Sequence, residues 1–222
     1  MRTPLTSITG VLGLLVGGAV PDIPNKALDL LVIAKNNAER LGRLVNDILD
    51  IEKLEFGKLT LELKAFDVNS LMRQAIDQNS GYSIKYGVHL ALDNSAIAMQ
   101  KITILVDVDR FLQVMSNLIS NAIKFSHVDG IVTVSASVNG NAIYFYVEDC
   151  GVGIPEEFRK KIFQKFAQAD SSDTRKRDGT GLGLSISRVI VERMGGTIDY
   201  RTELNKGSVF FFSLPVEHIE PI

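Results

Sequence analysis

Asn117 and Asn121 stand four residues apart, with Lys124 close behind, in a stretch whose apolar residues repeat at helical spacing. On a helix the two amides share one face. An amide oxygen is a hard ligand suited to Mg²⁺, which keeps waters and phosphate oxygens as its remaining ligands. A lysine one turn further on can meet a phosphate. Downstream, Asp149-Cys150-Gly151-Val152-Gly153-Ile154 follows an alternating apolar run. There a carboxylate can accept a hydrogen bond from an exocyclic amine, and the glycines allow backbone to approach a ligand closely. Gly179-Thr180-Gly181-Leu182-Gly183-Leu184 opens another helical stretch, and backbone N–H groups at a helix start suit a phosphate chain. Phe163 and Phe166 lie between these two signals, and aromatics so placed are more often core than ligand contacts.

Each signal alone has a plain alternative: a solvated polar helix face, a strand-ending turn, a packed aromatic pair. Cys150 reads as a packed side chain rather than a reactive thiol. A dinucleotide fold needs a strand immediately before its glycines, but here the polar run Ser171 to Asp178 precedes them. A Walker loop needs Lys-Ser or Lys-Thr after them, and neither is present. The polar run reads equally as a mobile lid whose cations touch phosphate and as a solvated loop.

The elements that must position these residues follow from periodicity. Leu5, Ile8, Leu12 and Leu15 form one helical stripe. Beyond the turn Pro21-Asp22-Ile23-Pro24, a second stripe runs through Leu28, Leu31, Ala34, Ala38, Leu41, Leu44 or Val45, Ile48 and Ile51. A short turn between two helices makes an antiparallel hairpin. Two helices bury little by themselves, so the spacing predicts a dimeric four-helix bundle. Leu59 to Leu63 then alternates as a strand, and Asn69 to Ile76 reads as a helix capped by Asp67 or Asn69. Strands are predicted at 87–92 and 101–106, followed by a helix from Asp107 or Asp109 to Phe125. Ile131 to Ser137 and Ala142 to Glu148 read as a hairpin with Asn139-Gly140 at its tip. A short helix from Glu156, a helix over 182–194 and a closing hairpin over 196–214 complete an α+β chain. The predicted fold is a helical hairpin over 1–58, then an α/β sandwich over 59–222 whose mixed sheet is mostly antiparallel, with helices on one face.

Composition narrows the possibilities. A formal net charge of -2 and the absence of tryptophan argue against a nucleic-acid partner. The single cysteine cannot form an internal disulfide. The uncharged stretch Thr3 to Val20 raises the question of a membrane segment. It holds Pro4, hydroxyls on both sides of Ile8 and four glycines, which suit a bundle helix better, and the chain is expected to be soluble.

In order and spacing, these motifs resemble those of sensor histidine kinases. Residues 117–125 (NLISNAIKF) are similar to the family's N box, 149–154 to its G1 box, Phe163 to Phe166 to its F box, and 179–184 to its G2 box. Gly207-Ser208-Val209-Phe210 is similar to the closing glycine motif. Met1-Arg2-Thr3-Pro4-Leu5 resembles the tail of the H box, whose histidine and acid would fall before Met1. The resemblance implies a dimerising hairpin followed by an ATP-binding sandwich of the gyrase–Hsp90–kinase–MutL type, in the cytoplasm. A membrane would be reached only through segments upstream.

Residue by residue, it implies that Asn121 holds Mg²⁺ with Asn117 assisting, Lys124 contacts phosphate and Phe125 borders the base. Asp149 would read the adenine amine, with Gly151, Gly153 and Ile154 shaping that wall and Phe163 and Phe166 nearby. Gly179, Thr180, Gly181, Leu182, Gly183 and Leu184 would anchor a lid beside the triphosphate; Asp178 departs from the glycine common there. In the full-length relative, phosphate passes from ATP to a hairpin histidine and on to an aspartate of a response-regulator receiver domain. His89, His127 and His218 all lie outside the H-box pattern, so this chain is expected to bind ATP without phosphorylating itself. Thr3 would sit one turn beyond the histidine, where it could orient a water for receiver dephosphorylation or simply start a helix before Pro4. Two other classes stay open: a non-catalytic ATP-binding regulator of another kinase, and a stand-alone ATPase. The ATPases carry a glutamate where this chain has Asn117, so this chain lacks an evident base to activate water.

Overall fold

The computed structural model describes residues 2–55, 60–98, 100–168 and 180–221, which fall into two compact units, 1–59 and 60–222. In the first, α1 (Arg2–Val16) and α2 (Asn25–Glu55) pack together as a helical hairpin. The turn between them uses left-handed residues at Gly18 and Asp22. Gly42 of α2 faces Leu5 of α1, and a Cβ there would make an ordinary van der Waals contact with the Leu5 side chain at 3.5 Å. The expected stripes divide in two. Leu5, Leu12, Leu28, Leu31, Ala38 and Val45 are wholly or partly covered, whereas Ile8, Val11, Leu30, Ile33, Leu41 and Ile48 lie open, Leu30 by 67%. Spacing of three, eight and seven residues puts Leu30, Ile33, Leu41 and Ile48 on a second apolar face of α2. No helix among the described residues is long and apolar enough to cross a membrane.

The second unit is an α+β sandwich with two sheets. The larger runs in the order β2 (His89–Asp93), β4 (Ile131–Asn139), β5 (Ala142–Asp149), β7 (Gly207–Pro215), β6 (Thr197–Glu203). β2 is parallel to β4, and every other neighbour is antiparallel. α3 (Val68–Tyr86), α4 (Val108–Phe125) and α6 (Gly183–Arg193) cover one face, with the short α5 (Glu156–Arg159) before α6. The smaller sheet joins β1 (Lys64–Asp67), β3 (Gln100–Val106) and β8 (His218–Pro221), all antiparallel.

The core is fixed by the period-two and period-3.6 patterns meeting. α4 turns Phe111, Val114, Met115, Leu118, Ile119, Ala122 and Ile123 inward. They meet Val132, Val134, Ile143, Phe145, Val147, Phe210 and Phe212 from alternate strand positions. Phe111 meets Phe145 edge-on at 5.0 Å between centroids, and Phe145 stacks on Phe212 at 4.9 Å.

Several boundaries differ from expectation. The strand expected over 59–63 appears one step later as β1; residues 60–63 are not strand, and Leu59 lies outside the described residues. α3 runs ten residues beyond Ile76. In that added stretch Asn79 and Ser83 are buried and satisfied. Asn79 Nδ2 donates to Ala75 O at 2.7 Å and to Ser116 Oγ of α4 at 3.1 Å, and Ser83 Oγ donates to Ser80 O. The helix ends at Gly87, in the left-handed region at φ 64°. In the β4–β5 hairpin Asn139 pairs with Ala142, so Gly140 and Asn141 are the turn residues rather than Asn139 and Gly140. Gly140 takes the positive φ that the first turn position needs. β8 and the 3-10 turn Ser95–Ile97 have no sequence signal long enough to reveal them.

Phe145→Ala would remove the ring that both Phe111 and Phe212 pack against. Urea unfolding of the sandwich should show a loss of about 3–5 kcal/mol.

Candidate functional site

α4 is among the most regular elements of the chain. Asp107 caps it, its carboxylate accepting the Arg110 N–H at 3.2 Å, and its inward stripe sets the rotation that places Asn117, Asn121 and Lys124 at the edge of the core. Asn117 Nδ2 donates to Ser187 Oγ of α6 at 2.9 Å. Asn121 Nδ2 lies 3.5 Å from Asn117 Oδ1, which leaves Asn121 Oδ1 directed elsewhere. A Cβ on Gly183 would collide with Asn117 Oδ1, so glycine where α6 begins lets the Asn117 amide keep its place between α4 and α6. The N-box asparagines and the last glycine of the G2 motif, more than sixty residues apart, form one contact set. Lys124 Nζ lies over the Phe125 ring at 5.2 Å.

β5 ends in Asp149, which is only 6% exposed. Its Oδ1 accepts the Gly151 N–H at 2.9 Å. Burial raises the Asp149 carboxyl above the usual aspartate range. Backbone N–H groups of Gly151 and Ser208 oppose that rise, and the nearby Glu148 charge adds to it. The following loop is held from both sides. Val152 N donates to Phe125 O at 3.4 Å, while Asn205 N donates to Val152 O at 2.9 Å. Ile154 N donates to Thr202 Oγ1 at 2.9 Å, and Arg159 Nε donates to Ile154 O at 3.2 Å. Gly151 and Gly153 leave no room for a side chain: a Cβ would strike Phe125 O in the first case and Glu203 O in the second. Gly153 also has φ 68°.

The remaining predicted residues divide. Phe163 packs on Tyr200 at 6.0 Å with the Arg188 guanidinium over its ring, tying the segment after α5 to β6 and α6. Phe166 is 66% exposed and sits at φ 61°, and Gly181, at φ 71°, fits against its backbone. Thr180 Oγ1 accepts the Leu182 N–H, Leu182 is fully buried, and Leu184 lies in the first turn of α6. Gly179 and the polar run expected as a lid lie outside the described residues, as does the side chain of Thr3, which stands in the first turn of α1. Cys150, expected to be packed, is exposed, because the chain turns outward just after β5. Thr202, Asn205 and Arg159 were not expected at the site. Pairing of β6 and β7 beside β5 brings Thr202 and Asn205 to the loop, while Arg159 reaches back to it from α5, five residues beyond Ile154.

The chemistry of the donors fits a weakly chelated magnesium ion. Among the described residues no group of three or more His, Cys, Asp or Glu could hold a metal. An amide oxygen at Asn121 suits an ion that takes most of its ligands from water and phosphate. At the other end, a desolvated carboxylate held by two backbone N–H groups is an acceptor for an N–H donor on a ligand.

Residues 106–218 match the family profile described as histidine kinase-, DNA gyrase B-, and HSP90-like ATPase, and residues 1–57 match the His Kinase A phospho-acceptor domain. The chain belongs to the sensor histidine kinases. It is 32% identical over 228 residues to the circadian input-output histidine kinase CikA of Synechococcus elongatus, covering 100% of this chain and 30% of that protein. Full-length ShkA, solved in complex with AMPPNP, aligns with a TM-score of 0.77 and 30% identity over 97% of this chain and 43% of its own. Histidine kinase ThkA, solved with the response regulator TrrA, aligns with a TM-score of 0.65 and 25% identity over 96% of this chain and 58% of its own. The chain thus spans under a third of CikA.

The raised Asp149 carboxyl has a consequence for stability. Between the ordinary aspartate value and its own higher one, the folded state holds the proton more tightly than the unfolded chain. Stability therefore falls as pH rises through that window. Asp149→Asn carries no charge at any pH, so as pH rises above the ordinary aspartate value of about 4 the parent should lose stability relative to the variant. Thermal melts of both proteins measure this. A relative gain by the parent would mean that the ionised form is the favoured one.

Proposed function

We propose that this chain is the ATP-binding and dimerisation core of a histidine kinase whose full-length form moves the γ-phosphoryl of ATP·Mg²⁺ to a histidine. The observation that carries the reading is that three separate parts of the chain meet: Gly183 and Ser187 of α6 lie against Asn117, and Gly151, beside Asp149, lies against Phe125 at the end of the helix that carries Asn121. Asp149 accepts a hydrogen bond from the adenine amine, with Gly151, Gly153 and Ile154 as the wall beside it and Phe125 bordering the base. Asn121 provides the protein oxygen for Mg²⁺, and Asn117 assists by fixing that amide against α6. Lys124 and the N–H groups of Thr180, Gly181, Gly183 and Leu184 face the phosphates. Mg²⁺, when bound, neutralises charge on the phosphate oxygens. The chain's own part in transfer is to orient the nucleotide and to present these donors where charge develops. ShkA was solved with an ATP analogue, which supports the nucleotide assignment.

The second apolar face of the hairpin fits a second copy of the chain, forming a four-helix bundle. The ThkA–TrrA complex supports a response-regulator receiver as the partner that takes the phosphoryl onward. Thr3, near the start of α1, is the residue for a phosphatase role in that exchange.

Calorimetry with a non-hydrolysable ATP analogue should show Mg²⁺-dependent binding. Asp149→Ala should weaken it by about 1–3 kcal/mol, one to two decades in affinity. The 222-residue chain, incubated with γ-labelled ATP, should take up no label. Binding indifferent to both Mg²⁺ and Asp149→Ala would refute the site.

Light scattering should give about twice the chain mass of 24.4 kDa. Leu30→Asp with Ile33→Asp, placed on the open face, should yield monomers that keep their helicity. A parent that is monomeric at high concentration would rule out the bundle.

A further inference from the structure

Thr202, near the end of β6, is the node through which the closing hairpin holds the base-reading loop. Its Oγ1 accepts the Ile154 N–H at 2.9 Å, lies 3.1 Å from Gly207 O and 2.9 Å from Ser208 Oγ. One hydroxyl has one proton and two lone pairs. With the proton given to Gly207 O, the lone pairs take the Ile154 N–H and the Ser208 hydroxyl, so all its capacity is used. Each partner bears on Asp149. Ser208 is its register partner on β7, and the Ser208 backbone N–H helps to hold the carboxylate. Gly207, at φ 112°, passes so close that a Cβ would collide with Asp149 O. Ile154 closes the loop whose Gly151 N–H binds Asp149 Oδ1.

We propose that Thr202 is a positioning residue for base recognition: its hydroxyl sets the path of residues 151–154 and the orientation of the Asp149 carboxylate, without touching the nucleotide. The proposal rests on Asp149 as the reader of the adenine amine. The phosphate end belongs to α4 and α6, which share no hydrogen bond with Thr202 among those described. Loss of the hydroxyl therefore acts on the base and leaves the triphosphate contacts in place. A valine at this position keeps the β-branched shape that suits a strand, but leaves the Ile154 N–H and the Ser208 hydroxyl without their acceptor.

Affinities of the full chain for Mg²⁺ complexes of non-hydrolysable ATP and GTP analogues, measured in parallel, read this directly. Thr202→Val should weaken the adenine nucleotide about 5- to 10-fold and hardly change the guanine one, so that the preference falls by the same factor. Thr202→Ala removes the same hydroxyl from a smaller side chain and should behave alike. Thr202→Ser restores the hydroxyl and should recover both affinity and preference. Equal weakening of the two nucleotides, an unchanged preference in Thr202→Val and Thr202→Ala, or a serine variant as poor as valine would overturn the proposal and leave Thr202 as a strand contact only. Asp149→Ala separates the two levels. If it keeps the adenine preference, the Asp149 assignment itself fails; if it loses the preference while Thr202→Val retains it, only the role of Thr202 fails.

Discussion

Asp149 is held where little water reaches it, and the neighbouring structure is arranged around the cost of that burial. A carboxylate in such a place needs hydrogen-bond donors to stay ionised, and its own loop returns Gly151 N–H while the adjacent strand brings Ser208. Both donors are backbone, so their positions depend on how closely the chain can fold back on itself. That explains the absence of side chains at Gly151, Gly153 and Gly207, each of which lies against a carbonyl oxygen or the backbone next to it. The glycines here serve the packing of backbone on backbone before they serve any ligand.

The loop that results is short and fully anchored. Val152 and Ile154 each offer an N–H to one neighbouring element and receive a hydrogen bond at the carbonyl from another. The neighbours are the end of α4, the β6–β7 turn, Thr202 and α5. A wall with four attachments does not have to order itself when a ligand arrives, which favours tight and selective contact with a planar group. The opposite end is built differently. There Asn117 and Asn121 depend on α6 through Ser187 and Gly183, so the position of one helix start sets the direction of the amides on another.

The two units use hydrophobic burial in contrasting ways. The sandwich closes its core within one chain, around Phe111, Phe145 and Phe212. The hairpin covers one stripe of each helix and leaves the other stripe open, from Ile8 and Val11 to Leu41 and Ile48. That open stripe is apolar surface which the two helices of the hairpin do not cover for each other.

Local chemistry was legible in the residues themselves. The caps at Asp107 and Asp67, the helical face carrying Asn117 and Asn121, the glycine motifs and the alternating strands follow from short-range rules of period and turn geometry, and the structure places them close to where those rules put them. The expected helix over Asn69 to Ile76 fell short of α3. Its last ten residues carry Asn79 and Ser83, which are buried because Ser116 on α4 and the carbonyls of their own helix satisfy them. The exposure of Cys150, the small sheet that recruits β8, and the attachment of Thr202 and Asn205 to the loop have no local signature. Sequence period determines which way a side chain faces within its own element. Which distant strand lies alongside, and so which hydroxyl or N–H completes a buried polar group, is decided only when the sheet order β2-β4-β5-β7-β6 is formed.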